Sequence, residues 1–338
     1  MAVINIEASQ LGPGGVVIKE NLEANAGEPN LVVISFSATS DAADLESFIR
    51  TLPALTIGVG ALNSQAKLFD LVTTDLGQGQ RWIAGYEKSP LAAWTAALLL
   101  RDPSTSIWGG ITAESTAYST LLAGEMFNRW RSTHSPLSTT AESDQLVEIE
   151  VRAGIRIITL NRPERHNALN PALRDALYHA FATALVADEP VVWRGNGPSF
   201  CSGGDLYSFG TAPDPAQAHV IRITRSLAWL AHSLAPRLVV GIHGASMGAG
   251  IEIPAFASRV IAADNTQISL PELRLGLIPG AGGTVSMTAR SGSNRVLELL
   301  LDGTVIDASR AHNWRLVDDV VAYSDLDDNL IKAAEARR

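Results

Sequence analysis

Residues 244–252 read Gly244-Ala245-Ser246-Met247-Gly248-Ala249-Gly250-Ile251-Glu252, and Ser269-Leu270-Pro271-Glu272 follows, just ahead of Gly276-Leu277-Ile278-Pro279-Gly280-Ala281-Gly282-Gly283-Thr284. A carboxylate on a surface helix needs no such framing. Beside a run of small residues it points at something that must approach the main chain closely, because only side chains this small leave the amides accessible. Two blander readings stand next to this one: Glu252 as a first-turn helix carboxylate favoured by the helix dipole, and Glu272 as a solvated strand-to-helix cap. The run does not spell GxGxxG, which argues against a dinucleotide loop and leaves tight helix–strand packing as its other use.

Outward from this stretch, Arg237–Ile242 reads as a buried strand feeding the glycine run, and Ala216–Ser233 as the helix before it. Glu252–Ala257 opens a further helix, and Val260–Ala263 is another strand. Pro254 falls in the first turn of that helix, where its missing N–H costs nothing. Upstream, Leu146–Val151 and Ile155–Leu160 alternate like two strands joined by a tight turn at Ala153-Gly154. Asn170 and Pro171 start a helix over Ala172–Val186 as N-cap and first helical residue. Val191–Gly195 is a short strand, followed by the loop Pro198-Ser199-Phe200-Cys201-Ser202-Gly203-Gly204-Asp205. Strands alternating with helices make an α/β architecture.

Ser132–Asp144 is polar and reads as a linker, dividing an N-terminal α/β module over 1–140 from a core over 141–338. The module shows a strand at Leu31–Phe36, a helix near Ala42–Arg50 and a strand at Thr56–Val59. It faintly echoes the core: Leu45–Gly58 parallels Leu227–Gly241, and Leu121–Glu125 parallels Leu299–Gly303. A degenerate duplicate of the core and an unrelated α/β cap both account for this. Trp82, Trp94, Trp108 and Trp130 read as core or interface anchors.

The chain has 338 residues, 46% hydrophobic and 18% charged, with a net charge of −9. That is a core-forming protein without the basic stripe that nucleic acid or an anionic membrane requires. Its one cysteine, Cys201, excludes an internal disulfide framework and a cysteine-built zinc cluster; no metal is expected. The first residues lack a signal-peptide layout, and the apolar stretch Leu91–Leu100 is too short to span a bilayer, so a cytoplasmic location is expected. Cys201 has no evident paired base to make it a nucleophile, and His243 reads as a capping or packing group.

Three blocks occur in order: Thr159-Leu160-Asn161-Arg162-Pro163-Glu164-Arg165-His166-Asn167-Ala168-Leu169-Asn170, then Phe200–Leu206, then the glycine run with its sequel to Thr284. Together they resemble the crotonase (enoyl-CoA hydratase/isomerase) superfamily, over about Leu146 to Val321. The resemblance implies a ββα spiral core and an acyl-CoA substrate, with no cofactor beyond the coenzyme A that the substrate carries. It implies an oxyanion hole from the amides of Gly204 and Ala249, alanine replacing the usual glycine, and a coenzyme A site at Arg162, Arg165, His166, Ala168, Gly203, Asp205 and Leu206. His166 reads equally as part of a surface turn.

Glu252 and Glu272 are separated as in the hydratases that carry both glutamates, whereas isomerases often keep one. The expectation is therefore a lyase that adds water to a 2-enoyl-CoA, Glu252 activating the water and Glu272 protonating the α-carbon. An isomerase, a thioester hydrolase or a non-catalytic assembly subunit are the alternatives. Relatives assemble into oligomers and carry several helices beyond the region of Leu316–Val320, against roughly one here. A homo-oligomer is expected, with the N-terminal module supplying the surface those helices would provide.

Overall fold

The computed structural model describes residues 1–11, 15–36, 46–60, 68–101, 106–134 and 145–337. Residues 135–144 of the expected linker, and the start of the helix expected near Ala42, lie outside them. The chain divides into two units, Met1–Pro103 with Ser293–Gly303, and Ser104–Gly292 with Thr304–Arg338.

In the first unit, strands β1 (Ala2–Glu7), β2 (Asn30–Phe36), β3 (Leu55–Gly60) and β4 (Leu71–Thr73) form a parallel sheet in chain order. β2 and β3 are nearly continuous apolar runs, as strands covered on both faces must be. Helices α1 (Val16–Ala24), α2 (Glu46–Arg50), α3 (Leu76–Lys88) and α4 (Pro90–Arg101) accompany the sheet. Trp82 and Tyr86 anchor α3 in the interior, while Trp94 is only half-buried. Arg101 closes α4 onto the sheet through Asp70 at 2.5 Å and the carbonyl of Leu52 at 2.6 Å. The distant segment Ser293–Asp302 returns as a helix against α3 and α4. Gly85 permits that approach, since a Cβ there would sit 2.1 Å from the Leu301 carbonyl oxygen.

The second unit opens with α5 (Ile107–Leu122) and α6 (Glu125–Thr133). The division expected after residue 140 puts both helices in the N-terminal module; here they fall with the core residues, because α5 packs on helices that come later in the chain. Strands β5 (Val147–Arg152) and β6 (Ile155–Leu160) then pair antiparallel. Ala153 (φ 47°) and Gly154 (φ 70°) are both left-handed, as the two-residue turn of a right-twisted hairpin requires. α7 (Pro171–Val186) is capped by the Asn170 side chain, which accepts from Leu173 N–H, and leads to β7 (Val191–Gly195).

The helix expected over Ala216–Ser233 is two helices, α8 (Pro215–Thr224) and α9 (Leu227–Leu234). Arg225 closes the first, and Ser226 caps the second by accepting from Trp229 N–H. Next come β8 (Leu238–Ile242), β9 (Ala245–Met247), the single turn α10 (Ala249–Glu252), β10 (Arg259–Ala263) and β11 (Gln267–Ser269). Glu252 thus ends a one-turn helix rather than opening a longer one, because the Pro254 ring clashes with a continuing helix and the chain tightens into a 3₁₀ turn over Pro254–Phe256.

Helix α11 (Gly283–Ser291) follows, then α12 (Ser293–Asp302, in the first unit), β12 (Ile306–Asp307), α13 (Ala308–Asn313), β13 (Asp319–Val321) and α14 (Leu326–Glu335). The large sheet runs β13-β10-β8-β7-β6-β5, parallel except for the first hairpin, and β12-β11-β9 form a small second sheet. α14 covers the large sheet, with Leu326, Leu330 and Ala334 buried against Ile155, Val192, Val239 and Ile261. The first unit contains four parallel strands in chain order, β1–β4, and the second contains five, β6, β7, β8, β10 and β13.

Candidate active site

Pairing of β9 with β11 brings the two glutamates together. Met247 lies opposite Ser269 in that parallel pair. Glu252 comes five residues after the first and Glu272 three after the second, so both carboxyls arrive at the same end of the small sheet. They line one cavity of about 760 Å³, with Gly204 and Ala249 in its wall. Gly248 sits at the junction at φ 48° and ψ −121°, a conformation that side chains do not tolerate. A Cβ at Gly248 would stand 2.6 Å from Oε1 of Glu272 and 3.8 Å from Oε1 of Glu252.

The carboxyls are held differently. Oε2 of Glu252 accepts from Ala281 N–H at 2.8 Å and Gly283 N–H at 3.0 Å. Gly283 must be glycine for this, since a Cβ would come within 2.6 Å of the Glu252 side chain. Oε2 of Glu272 is buried and has no hydrogen-bond partner among the described residues. Burial pushes Glu272 up to about 8, opposed by its own amide and aided by the charge of Glu114. Glu252 is also pushed well above the usual carboxylate range, by burial and then by the charges of Glu272 and Glu114. Clustered buried carboxyls cannot all ionise, so protons are shared among them. The two amides on Glu252 favour its anion; Glu272 has only its own amide to do so.

Gly204 lies in a loop stitched on either side to its neighbours. Leu169 N–H donates to Gly203 O at 2.8 Å, Asp205 N–H to Leu169 O at 3.1 Å, and Met247 N–H to Cys201 O at 3.1 Å. Gly203 is left-handed at φ 96°, and a Cβ there would press on the Met247 carbonyl. The Gly204 amide itself donates to nothing among the described residues. The same is true of Ala249, the first residue of α10. Two main-chain donors in a cavity wall without acceptors are what a developing oxyanion needs.

The expected coenzyme A contacts are split. Arg162, expected to meet a phosphate, is turned inward and buried: it pairs with Asp205 at 2.8 Å and donates to Ala168 O at 2.9 Å. Its charge serves the loop, because a buried guanidinium needs a carboxylate beside it. Arg162, Ala168 and Asp205 therefore hold one another. Arg165 is half-buried and lies over the ring of Tyr207, 5.8 Å from its centroid. His166 is exposed, in a left-handed conformation, with Nδ1 3.0 Å from Ser199 Oγ. Leu206 is exposed as well.

Cys201 is buried and pushed up to about 12 by desolvation, so it stays a thiol. His243 packs on Tyr323, donates to Gly197 O at 2.9 Å and is lowered by burial. Trp130 stacks on His134, and Trp108 meets Trp229 edge to face.

A profile of the family described as enoyl-CoA hydratase/isomerase matches residues 150–337. The chain belongs to this family. It is 32% identical over 193 residues to a probable enoyl-CoA hydratase of Rhizobium meliloti, covering 56% of this chain and 73% of the relative. It is also 32% identical over 169 residues to the 2,3-dehydroadipyl-CoA hydratase of Escherichia coli, covering 49% and 65%. Among solved structures, a putative enoyl-CoA hydratase from Thermobifida fusca in complex with acetoacetyl-CoA superposes with TM-score 0.51 at 29% identity, covering 57% of this chain and 79% of that one. An enoyl-CoA hydratase from Bacillus anthracis gives 0.53 at 28%, covering 57% and 76%. The second unit thus carries the α/β spiral core expected from the three sequence blocks. Among the described residues no helix is long and apolar enough to cross a membrane.

Two features of this enoyl-CoA hydratase/isomerase family member lie outside the matched span. Tyr118, Leu122, Ala123, Phe127, Asn128 and Arg131 of α5, α6 and their junction line the cavity. Glu114 of α5 is buried beside it and accepts from Gly282 N–H at 2.6 Å and from Thr284 N–H and Oγ1 at 2.8 and 2.6 Å. Its signal in the sequence is that it is the one charged residue in a helix of otherwise uncharged side chains.

Proposed function

We propose that this enzyme adds water to the conjugated double bond of a 2-enoyl-CoA thioester. The observation supporting the reading is one cavity lined by Glu252, Glu272, Gly204 and Ala249, in which the amides of the last two donate to nothing among the described residues. Glu252 takes a proton from water as the water oxygen bonds to the β-carbon. The double-bond electrons move toward the thioester, and the oxygen's growing charge falls on the two amides. Glu272 delivers its proton to the α-carbon, the carbonyl re-forms, and a 3-hydroxyacyl-CoA leaves. Exchange with solvent returns the two carboxyls to their starting states.

Each oxyanion donor is worth on the order of 3 kcal/mol to such a step. Coenzyme A enters as part of the substrate, and no further cofactor is needed because both proton transfers use side chains of this chain. Of the two arginines expected to meet a phosphate, Arg165 is the one not buried against a carboxylate. The acetoacetyl-CoA complex of the Thermobifida relative supports a thioester as the ligand class. The test is loss of the conjugated enoyl-thioester absorbance with purified protein and a series of chain lengths. Turnover to the 3-hydroxy product, abolished by Glu272→Gln with ligand binding retained, is expected. Conversion only to a shifted double bond, or release of free coenzyme A, overturns the reading, and so does no turnover at any length.

A further inference from the structure

The turn from Gly280 to Thr284 is gripped by two acids in strict alternation. Ala281 N–H donates to Glu252, Gly282 N–H to Glu114, Gly283 N–H to Glu252 and Thr284 N–H to Glu114. These amides open α11, whose first turn has no intrahelical acceptors for them. Neither carboxylate reaches the next amide along, so the conformation of the turn depends on both. Glu114 does not line the cavity; it comes from α5, ahead of the family-matched span.

We propose that Glu114 is a positioning residue for the Glu252–Glu272 pair: it fixes the turn whose amides orient Glu252, and its charge favours the protonated state of its acidic neighbours. This deepens the hydration reading and rests on it for the identity of the chemical step.

Several groups act on Glu114. From α8 comes Arg222, a half-buried guanidinium whose Nε is 3.2 Å from Ser115 Oγ and whose Nη2 is 3.2 Å from Ser115 O. Arg222 also bonds Ser119 and lies over the Tyr118 ring. From α10 and the turn after β11 come Glu252 and Glu272. α5 itself supplies Tyr118, raised by burial, and α11 supplies its amides and the Thr284 hydroxyl. α6 carries Glu125, Arg129 and Arg131, and α9 carries His232. Burial pushes Glu114 up to about 7, against the pull of Thr284, Gly282 and Arg222. It therefore changes charge within the working range of the pair.

Glu114→Gln keeps the shape, removes the charge and converts an acceptor into a donor facing the turn. Misplacing a reacting group by a fraction of an ångström costs roughly ten- to a hundredfold in turnover, so kcat is expected to fall about that much with KM within about twofold. Removing a like charge lowers neighbouring carboxyl pKa values, so the acid limb of the kcat profile should move down by about half a pH unit or more. Carbon-13 NMR of labelled glutamate carboxyls reads the same coupling without turnover: the Glu252 and Glu272 resonances should titrate at lower pH in the variant. Where wild type hydrates no enoyl-CoA, the function reading fails while this titration still decides the role of Glu114.

Thr284→Val, which removes only the hydroxyl donor, should move the titrations in the same direction by less and serves if Glu114→Gln does not fold. A variant that loses thermal stability yet keeps kcat, pH profile and carboxyl titrations would make Glu114 merely structural and overturn the proposal.

Discussion

Replacing Glu272 by glutamine should stabilise this protein at alkaline pH while removing its activity. Burial lifts the Glu272 carboxyl from 4.5 to about 8, so between those values the folded chain binds a proton that the unfolded chain releases. Unfolding free energy then falls as pH rises through that window; the contribution is complete below about 4.5 and gone above about 8. The window spans about 3.5 pH units at about 1.4 kcal/mol each, a ceiling of about 5 kcal/mol. Because protons are shared with Glu252 and Glu114, we expect Glu272 to account for about 2 kcal/mol of it. Glutamine cannot ionise and keeps the size of the protonated acid, so the variant should match wild type near pH 4.5 and exceed it by about 2 kcal/mol at pH 9. Urea titrations at the two pH values measure this directly, the midpoint shifting at constant slope. A variant no more stable than wild type at pH 9, or a gap independent of pH, would mean that Glu272 holds no proton in the folded state. Its role as the acid would then fall.

Other expectations follow from the same geometry. Gly248→Ala forces a side chain into a left-handed conformation and against Oε1 of Glu272; it should cost about 2 kcal/mol or more in urea unfolding and reduce kcat. Asp205→Asn leaves the buried Arg162 without its counter-charge and should cost about 3–5 kcal/mol, read from the shift in thermal midpoint. Arg165→Ala should raise KM several-fold with kcat nearly unchanged, the pattern of a group that binds ground and transition state alike. Leu122→Trp fills part of the cavity wall contributed by the N-terminal half and should move the preference toward shorter acyl chains, as competition between thioesters of two lengths would show.

Much of the core was legible because its determinants are local. Ala153-Gly154 announces a hairpin turn, Asn170-Pro171 a helix start, and the glycine run a close approach that the left-handed Gly248 confirms. The glutamate pair was legible through the family spacing, and the physical reason appears only in the pairing of β9 with β11. What sequence reading missed is long-range. Arg162 looked like a free cation in a turn, and its partner Asp205 is 43 residues away. Glu114 reaches backbone amides 168 and 170 residues downstream, and amides carry no sequence signature. The break between α8 and α9 falls at Thr224-Arg225-Ser226, where polar residues read equally well as the exposed face of one continuous helix, and the Ser226 cap marks the new start. Pro254 is compatible by sequence with a first turn, yet it follows a helix that begins at Ala249 and ends it.

The most direct test of hydration at this site is a crystal structure with acetoacetyl-CoA, an unreactive thioester. The thioester oxygen should lie about 2.7–3.1 Å from both the Gly204 and Ala249 amide nitrogens, with Oε2 of Glu272 facing the α-carbon and Oε1 of Glu252 on the side of the β-carbon. A thioester bound with its oxygen away from those amides, or with either carboxyl out of reach of the reacting carbons, would contradict it.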